Sequence, residues 1–416
     1  MGEYQRYFTS RNNNYDYKII DGDGKFRKNK TVLLNEATEG VSEKEFKELI
    51  RQEIIKNIFP IDNIVLLAGA GASIISDAEG NPDENFGHTI DMLAKAIDKD
   101  LAENNNIFSI EEMSERCNYR IPIKIKNSDG KEAKYNSEFV LEDFLSKVLI
   151  FEEYIREGEE KSKYIATKDR ILEMIVEKTS YSFDPEKHKH DSIINILSNM
   201  IRTPERLSVI TTNYDTLFEE AAEYLEYTIF DGFSFSSNPK FNVDLFDWSL
   251  VKPIFNVKSD KVEYKKRTIN LLKIHGSLTW KVDGEEIVRG GKITNLDKEI
   301  PLMIFPSSNK YTHSYEKPYF ELFSKFQELL KKPNTLLITS GFSFADNHIA
   351  KMISQAIKTS ASLTLLVTDY NIESEGKNLN WGKLEQMMDS GYRVFFLKAT
   401  LDQDLIDYFG GRLNDN

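Results

Sequence analysis

The segment NIVLLAGAGAS (63–73) joins an apolar run directly to two closely spaced glycines and a serine. Its first six residues are almost all apolar, which is typical of a strand buried on both faces of a parallel sheet. Glycines at the end of such a strand let the backbone turn sharply and approach a ligand closely. If the amides beyond them open a helix, its N-terminus suits a pyrophosphate. The segment therefore predicts the first strand of an α/β fold, followed by a ligand-binding glycine loop (69–73).

Two common nucleotide-binding motifs do not fit the glycine loop. Ile74 stands where the dinucleotide fingerprint of dehydrogenases needs its third glycine, and no Gly-Lys-Ser/Thr follows as in a P-loop. Tight strand-to-helix turns also use glycine for structural reasons alone, and this alternative stays open.

Later apolar segments of the same kind alternate with helical patterns. The helical patterns cover 216–225, 346–357 and 383–388. Strands separated by helices indicate βαβ units, so the sequence predicts a doubly wound, parallel, Rossmann-like sheet. The later strand segments are LSVITT (207–212), LLKIHG (271–276), TLLITSG (335–341), LTLLVTD (363–369) and YRVFFLKA (392–399).

The chain divides into three predicted regions. Residues 1–60 comprise a polar, irregular arm to about residue 40 and then a helix, which begins at the capping box SEKE (42–45) and ends at Pro60. Residues 61–400 form the nucleotide-binding domain, with a large helical insertion at about 85–205 because the gap after the first strand is too long for one crossover. Residues 401–416 form a C-terminal helix and tail.

Composition excludes several classes of protein. Hydrophobic residues make up 40% of the 416 residues, and no run of about 18 apolar residues occurs, which argues against a membrane span. The only cysteine, Cys117, cannot form an intrachain disulfide or a thiolate zinc cluster, and it favours a reducing cytoplasm. A formal net charge of -13 argues against a surface built wholly for nucleic acid, although it leaves direct nucleic-acid binding at a local groove undecided.

Polar motifs follow three of the later strands. They are the asparagine loop TTNYD (211–215), the histidine loop IHGS (274–277) and the late loop GFSFAD (341–346). Each has a structural alternative, because Asp215 and Asp346 can cap helices and a lone histidine such as His275 is more often a hydrogen-bonded structural residue. Loops after parallel strands share one edge of an open sheet, where ligands bind. The sequence therefore predicts that the four loops form one site.

The ordered set GAGAS, TTNYD, KIHGS and GFSFAD resembles the sirtuin-like family. The resemblance implies that the glycine loop cradles the phosphates of NAD+ and that the asparagine and histidine loops face the nicotinamide ribose. It implies a second phosphate-binding loop at Gly341 and Ser343, and Asp369 as a contact for the adenosine ribose hydroxyls. The phosphate-loop residues are Gly69, Ala70, Gly71, Ala72 and Ser73, and those of the reactive end are Asn213, Asp215 and His275.

The departures from protein-deacylating sirtuins are also informative. Those enzymes carry four zinc-binding cysteines, and their Gly-Ile-Pro-Asp-Phe-Arg segment is reduced here to GNPD (80–83). Nothing resembles their acyl-lysine groove. The chain is similar instead to bacterial sirtuin-like NADases of antiphage defence, through GFSFADNHI (341–349) and IFPSSNKYTHSYEKPY (304–319).

This resemblance implies NAD+ as a substrate, no zinc or other metal, and hydrolysis to ADP-ribose and nicotinamide. It also implies control by homo-oligomeric assembly or by a partner such as a HerA-type ATPase or an Argonaute-like protein. A zinc-free deacylase or ADP-ribosyltransferase and a non-catalytic sensor of NAD or ADP-ribose remain alternatives.

Residue chemistry suggests a role for each member of the reactive end. An imidazole titrates near neutral pH, so His275 is the candidate general base. Asn213 is the candidate to orient a water molecule or the ribose hydroxyls, and Asp215 to orient Asn213. Asn213 and His275 are both expected on ligand-facing loops, whereas His188 and His190, in a lysine-rich run, are expected to be exposed.

Overall fold

The computed structural model describes residues 3–20, 23–35, 39–77, 81–126, 133–136, 138–254, 262–293, 301–303 and 317–410. Its strands are β1 (Gln5–Thr9), β2 (Asn14–Ile20), β3 (Asp23–Lys28), β4 (Thr31–Val32), β5 (Asn63–Ala68), β6 (Lys124–Lys126), β7 (Ala133–Tyr135), β8 (Leu207–Thr211), β9 (Thr228–Phe230), β10 (Val251–Pro253), β11 (Val262–Tyr264), β12 (Thr268–Lys273), β13 (Trp280–Asp283), β14 (Glu286–Arg289), β15 (Thr335–Ser340), β16 (Thr364–Asp369) and β17 (Val394–Lys398). Its helices are α1 (Glu43–Ile58), α2 (Ile90–Glu103), α3 (Ile110–Arg116), α4 (Leu141–Glu152), α5 (Glu159–Thr179), α6 (His190–Met200), α7 (Leu217–Tyr224), α8 (Tyr319–Lys331), α9 (Asn347–Thr359), α10 (Leu379–Asp389) and α11 (Leu405–Phe409). Within this part of the chain, no helix is both long enough and apolar enough to cross a bilayer.

An eleven-stranded sheet forms the centre of the described structure. Its order is β4-β3-β2-β1-β17-β16-β15-β5-β8-β12-β9, and the strands from β17 to β9 are parallel. From β5 the chain moves outward to β8 and then to β9 at the edge, places β12 between these two strands, and returns to β15 on the other side of β5. The order of the strands therefore reverses between β5 and β15, the point at which doubly wound sheets bind ligands.

Helices cover both faces of this sheet, as predicted. Along β5 the side chains alternate, so that Ile64 and Leu66 join one hydrophobic core while Val65 and Leu67 join the other. The first core contains residues of α1, α6, α7 and α11, and the second contains residues of α8, α9 and α10. The fold is a Rossmann-like, doubly wound α/β sheet.

Helices α2 to α5 lie between β5 and β8 and form a third core of their own. Ile97, Phe144 and Ile171 are fully buried there, and Tyr214 of the asparagine loop packs against the same cluster. By contrast, Ile193 and Leu197 of α6 belong to the sheet core. The unit formed by α2 to α5 is therefore fixed beside the predicted site.

The prediction of an irregular arm at the N-terminus is wrong. Strands β1 to β4 form an antiparallel meander, and β1 extends the main sheet by pairing with β17, with Phe8 opposite Leu397. Tyr15 and Phe26 are buried beside Phe46 of α1, and this aromatic packing offsets the polar composition that suggested an arm.

The predicted capping box of α1 is confirmed. Ser42 Oγ accepts from the amide of Glu45 at 3.3 Å, and Glu45 Oε2 accepts from the amide of Ser42 at 2.7 Å. These two contacts satisfy backbone donors that a helix N-terminus otherwise leaves unpaired.

Candidate functional site

The strands that carry the four loops end at the same level. In the sheet register, Ala68 lies opposite both Ser340 of β15 and Thr211 of β8, and Thr211 lies opposite Lys273 of β12. The glycine, asparagine, histidine and late loops therefore begin along one edge, at the point where the strand order reverses.

The glycine loop and the late loop touch backbone to backbone. The Gly71 amide donates to the Gly341 carbonyl at 3.0 Å. Gly341 has φ +60°, and a Cβ there would lie 2.2 Å from the Ala72 nitrogen. A Cβ on Gly71 would lie 2.8 Å from Gly341 Cα. This close contact requires glycine at both positions, whether or not a phosphate also approaches them.

The glycine loop does not open an α-helix. Residues Ala70–Ser73 form a single 3₁₀ turn instead. The amides of Gly69, Gly71, Ala72 and Ile74 all donate to carbonyls within the protein. The expected helix N-terminus for a pyrophosphate is therefore absent after β5, and the assignment of this loop to phosphate stays a prediction.

Asn213, Ser73 and Asp215 form one hydrogen-bonded network. Asn213 Nδ2 donates to the Gly69 carbonyl at 2.9 Å and to Ser73 Oγ at 2.8 Å. Ser73 Oγ in turn donates to Asp215 Oδ2 at 2.7 Å. The other carboxylate oxygen, Oδ1, accepts from the Leu217 amide at 3.1 Å, but the N-cap of α7 is Thr216 and not Asp215 as expected. The network joins the asparagine loop to the glycine loop.

Lys273 contacts this network through the main chain of Asp215. Its side chain is buried, and Nζ donates to the main-chain carbonyl of Asp215 and lies 3.0 Å from Glu219 Oε1. Burial raises the pKa of Glu219, while the adjacent Lys273 ammonium acts in the opposite direction. The charge of the lysine is therefore balanced within the protein.

His275 is paired with a carboxylate of the late loop. Its Nε2 lies 3.3 Å from Asp346 Oδ2, and both side chains are almost fully buried. Asp346 Oδ1 accepts from the amides of His348 and Ile349, at 2.9 and 3.2 Å, at the start of α9. The helix therefore holds the carboxylate that faces the imidazole. His275 lies on a loop as expected, but it is less exposed than a ligand-facing position suggests.

The remaining predicted residues lie on the side of β15 and β16. Ser343 is exposed, and its carbonyl accepts from Asn378 Nδ2 at 2.7 Å. Asp369 is buried at the end of β16, where Oδ1 accepts from Lys377 Nζ and from the Asn371 amide, both at 2.9 Å. A ribose hydroxyl at Asp369 would share this carboxylate with Lys377.

The expectation that His188 and His190 are exposed is wrong. Each is 1% exposed, and His190 packs edge-on against Phe218 with ring centroids 4.7 Å apart. The lysines around them in the sequence point to a surface, but the first turn of α6 faces the core. Among the described residues, no group of three or more His, Cys, Asp or Glu side chains could hold a metal ion.

The sequence interpretation missed two residues of the site. Asp346 was expected only as a helix cap, and Lys273 was not singled out. A signal for Lys273 did exist, because one cation interrupts the apolar segment LLKI (271–274). A charged residue in a buried strand needs a partner, and partners of that kind concentrate at functional sites.

The comparisons with known proteins concern the second part of the chain. Residues 207–384 match the family model of the SIR2-like domain, a stretch that runs from β8 into α10. It includes Asn213, His275 and Asp346 but not the glycine loop, and it covers less than half of the chain. No curated protein matches. Residues 207–384 are therefore similar to the SIR2-like domain, a domain type that uses NAD+.

Proposed function

We propose that this protein hydrolyses NAD+ to ADP-ribose and nicotinamide. The observation that carries the proposal is the placement of Asn213 and His275 at the ends of neighbouring strands, with His275 Nε2 3.3 Å from Asp346 Oδ2. In this reaction the bond between ribose C1′ and the nicotinamide nitrogen breaks, and its electron pair stays on nicotinamide. A water oxygen bonds to C1′, and the water gives one proton to the protein.

The chemistry makes modest demands on the site. Nicotinamide leaves as a neutral molecule, so no general acid is required, and the ribose passes through an oxocarbenium-like state, as in glycoside hydrolysis. The protein must hold the ribose, exclude bulk water and aim one water molecule at C1′. Ser73, Asp215 and His275 are each at most 5% exposed, so they are already shielded from bulk solvent.

Asn213 is suited to orient the ribose or the attacking water. The Gly69 carbonyl can only accept a hydrogen bond, so the amide nitrogen of Asn213 must face it. The two donations from Nδ2 fix the amide plane and leave Oδ1 as the oxygen for a ribose hydroxyl or a water molecule.

His275 is suited to accept the proton of that water. A carboxylate beside an imidazole sets its orientation and its tautomer, as in other sites where a third group orients the base. Asp346 supplies this carboxylate, and its second oxygen is tied to the start of α9. The proposed base is therefore positioned by the loop that also contacts the glycine loop.

We further propose that the reaction serves bacterial antiphage defence by depleting NAD+ in the cytoplasm. The support is the resemblance of the late loop to defence NADases. An uncontrolled enzyme of this kind would deplete its own cell, so activity must depend on assembly. Homo-oligomerisation, a HerA-type ATPase or an Argonaute-like protein are the proposed means of control.

Chromatography of reaction mixtures tests the proposal. The purified protein, alone and with candidate partners, should convert NAD+ to equimolar ADP-ribose and nicotinamide, and Asn213→Ala should do so on the order of 100-fold more slowly. Binding of NAD+ without turnover under every condition would favour the sensor alternative. Release of an acyl group from an acylated peptide would favour the deacylase alternative.

A further inference from the structure

Lys273 is placed in an unusual way for a lysine in a sheet. It is 1% exposed at the end of β12, and its ammonium contacts a main-chain carbonyl, that of Asp215, together with the carboxylate of Glu219. Three residues earlier on the same strand, the side-chain nitrogen Nδ2 of Asn270 donates to Ser208 Oγ at 3.1 Å. Strands β12 and β8 are therefore joined by side chains as well as by main-chain hydrogen bonds.

Stability alone is a weak reason for this arrangement. A buried ammonium and a buried carboxylate both lose hydration, and apolar residues of similar volume often replace such pairs with no loss of stability. Within the described residues, Glu219 Oε2 is buried with no hydrogen-bond partner, so the pair is not fully satisfied either. The buried charge therefore indicates a further role at the main-chain carbonyl that Lys273 contacts.

That atom belongs to the residue that organises the reactive end. The Asp215 carboxylate holds Ser73 Oγ, and Ser73 Oγ accepts from Asn213 Nδ2. Because the Lys273 ammonium donates to the main-chain carbonyl of Asp215, it restrains the backbone that carries the Asp215 carboxylate. Lys273 is also two residues before His275 on the same chain segment. One strand end therefore carries the proposed base and holds the loop of Asn213.

We propose that Lys273 is a positioning residue that holds the asparagine loop in register with His275, an inference that rests on the proposed hydrolysis for its activity readout. Lys273 does not touch the substrate. It acts through the Asp215 carbonyl, and its loss lets the Asn213 amide leave the position that orients water or ribose.

The experiment compares Lys273→Met with Lys325→Met as a matched control. Lys325 is also a buried lysine beside two carboxylates, Asp247 and Glu328, but it lies on α8. Hydrogen exchange of peptides covering 211–217 and turnover of NAD+ are measured on the full chain under the conditions in which wild type is active. Lys273→Met should speed exchange in these peptides by on the order of 10-fold. It should lower kcat by on the order of 10-fold or more while KM changes little, and Lys325→Met should do neither.

A double-mutant cycle tests the route through Asn213. In the Asn213→Ala background, Lys273→Met should lower turnover by less than about twofold further, because its target is already gone. A full additional loss in that background would overturn the inference. If Lys273→Met does not fold, Lys273→Arg keeps the buried charge but presents a planar fork in place of a single ammonium. It should show the same pattern.

The exchange measurement separates this inference from the proposed function. Unchanged exchange at 211–217 in a folded Lys273 variant overturns the positioning role, even if NAD+ is hydrolysed. Faster exchange in a protein that never hydrolyses NAD+ supports the positioning role and removes the proposed hydrolysis instead.

Discussion

Asp346 uses its two carboxylate oxygens for different partners: Oδ1 caps helix α9, and Oδ2 lies 3.3 Å from Nε2 of His275. The late loop, predicted as a phosphate-binding loop, therefore also contacts the histidine loop. Because asparagine can replace aspartate as a helix cap, a substitution of Asp346 by asparagine removes the charge beside His275 and keeps the cap of α9.

Asp346→Asn should lower turnover with little loss of stability. Asparagine caps helices about as well as aspartate, whereas the amide removes the negative charge beside His275. We expect kcat to fall by on the order of 10-fold or more. Ser42→Ala is the control, since it removes the cap of α1 and should cost about 1 kcal/mol of stability without changing kcat. An Asp346→Asn enzyme with full activity would exclude this role.

His275→Ala and Asn213→Ala should each lower turnover by on the order of 100-fold or more, the effect typical of a lost positioned base. Because His275 is buried beside Asp346, its loss should also cost about 1–3 kcal/mol of unfolding free energy. Turnover per folded molecule, measured with urea unfolding on the same samples, distinguishes the two effects. If activity falls only with the folded fraction, His275 is structural.

Gly71→Val should destabilise the protein as well as weaken NAD+ binding. Its Cβ would meet the backbone of Gly341 at 2.8 Å, and backbone on both sides cannot easily shift. Gly382→Ala is the matched control, because no heavy atom lies within 4 Å of an added Cβ there and alanine favours the helix. Thermal melts and calorimetric titration of NAD+ measure both effects. Wild-type stability of Gly71→Val with lost NAD+ binding would mean that the loops can separate and that only phosphate approach needs glycine.

Acid should destabilise the protein through His190. Burial, with a smaller effect of the neighbouring His188, lowers the pKa of His190 from 6.5 to about 3 in the folded state. The unfolded chain therefore binds the extra proton first, and this contribution to stability is lost progressively as the pH falls from about 6.5 towards 3. At pH 5 the loss is about 2 kcal/mol.

Urea unfolding at pH 7 and pH 5 measures this effect. His190→Phe, which keeps a ring against Phe218, should lose less stability between the two pH values than wild type does. His88 and His188 also have pKa values lowered by burial, and they remain in both proteins. An equal pH dependence of the two proteins would contradict the assignment to His190.

Removal of divalent metals should leave folding and turnover unchanged. The sequence has a single cysteine, so it cannot supply the thiolate zinc site of deacylating sirtuins. Elemental analysis should find no stoichiometric zinc, and dialysis against a chelator should not lower the melting temperature. Stoichiometric zinc in the purified protein would refute this expectation.

The parallel centre of the fold was predictable because most residues of its long strands are apolar and buried. The predicted segment 335–341 corresponds to β15 at Thr335–Ser340, and 363–369 to β16 at Thr364–Asp369. By contrast, β9 is only three residues long and joins the sheet through its pairing with β12, so no local pattern marks it. Local sequence pattern therefore identifies long strands that are buried on both faces, but it does not identify a short strand that only its pairing defines.

The candidate site was predictable as a set of loops but not as a set of contacts. Strand ends locate Asn213 and His275 on one edge, whereas the pairing of His275 with Asp346 joins loops that follow β12 and β15, two strands that are not neighbours in the sheet. The glycines of the two loops were expected to serve a ligand, but they also satisfy contacts with each other. Such mutual contacts join residues far apart in the chain and leave no periodic signal.

The pairing of β1 with β17 also has a consequence for how the protein is made. During synthesis β1 leaves the ribosome long before Leu397, the partner of Phe8, is added. Until then, β1 has no β17 to pair with. Its unpaired strand edge is therefore available to other nascent chains. We therefore expect slow translation or a shortage of chaperones to reduce the yield of this protein more than that of one whose neighbouring strands are close in sequence.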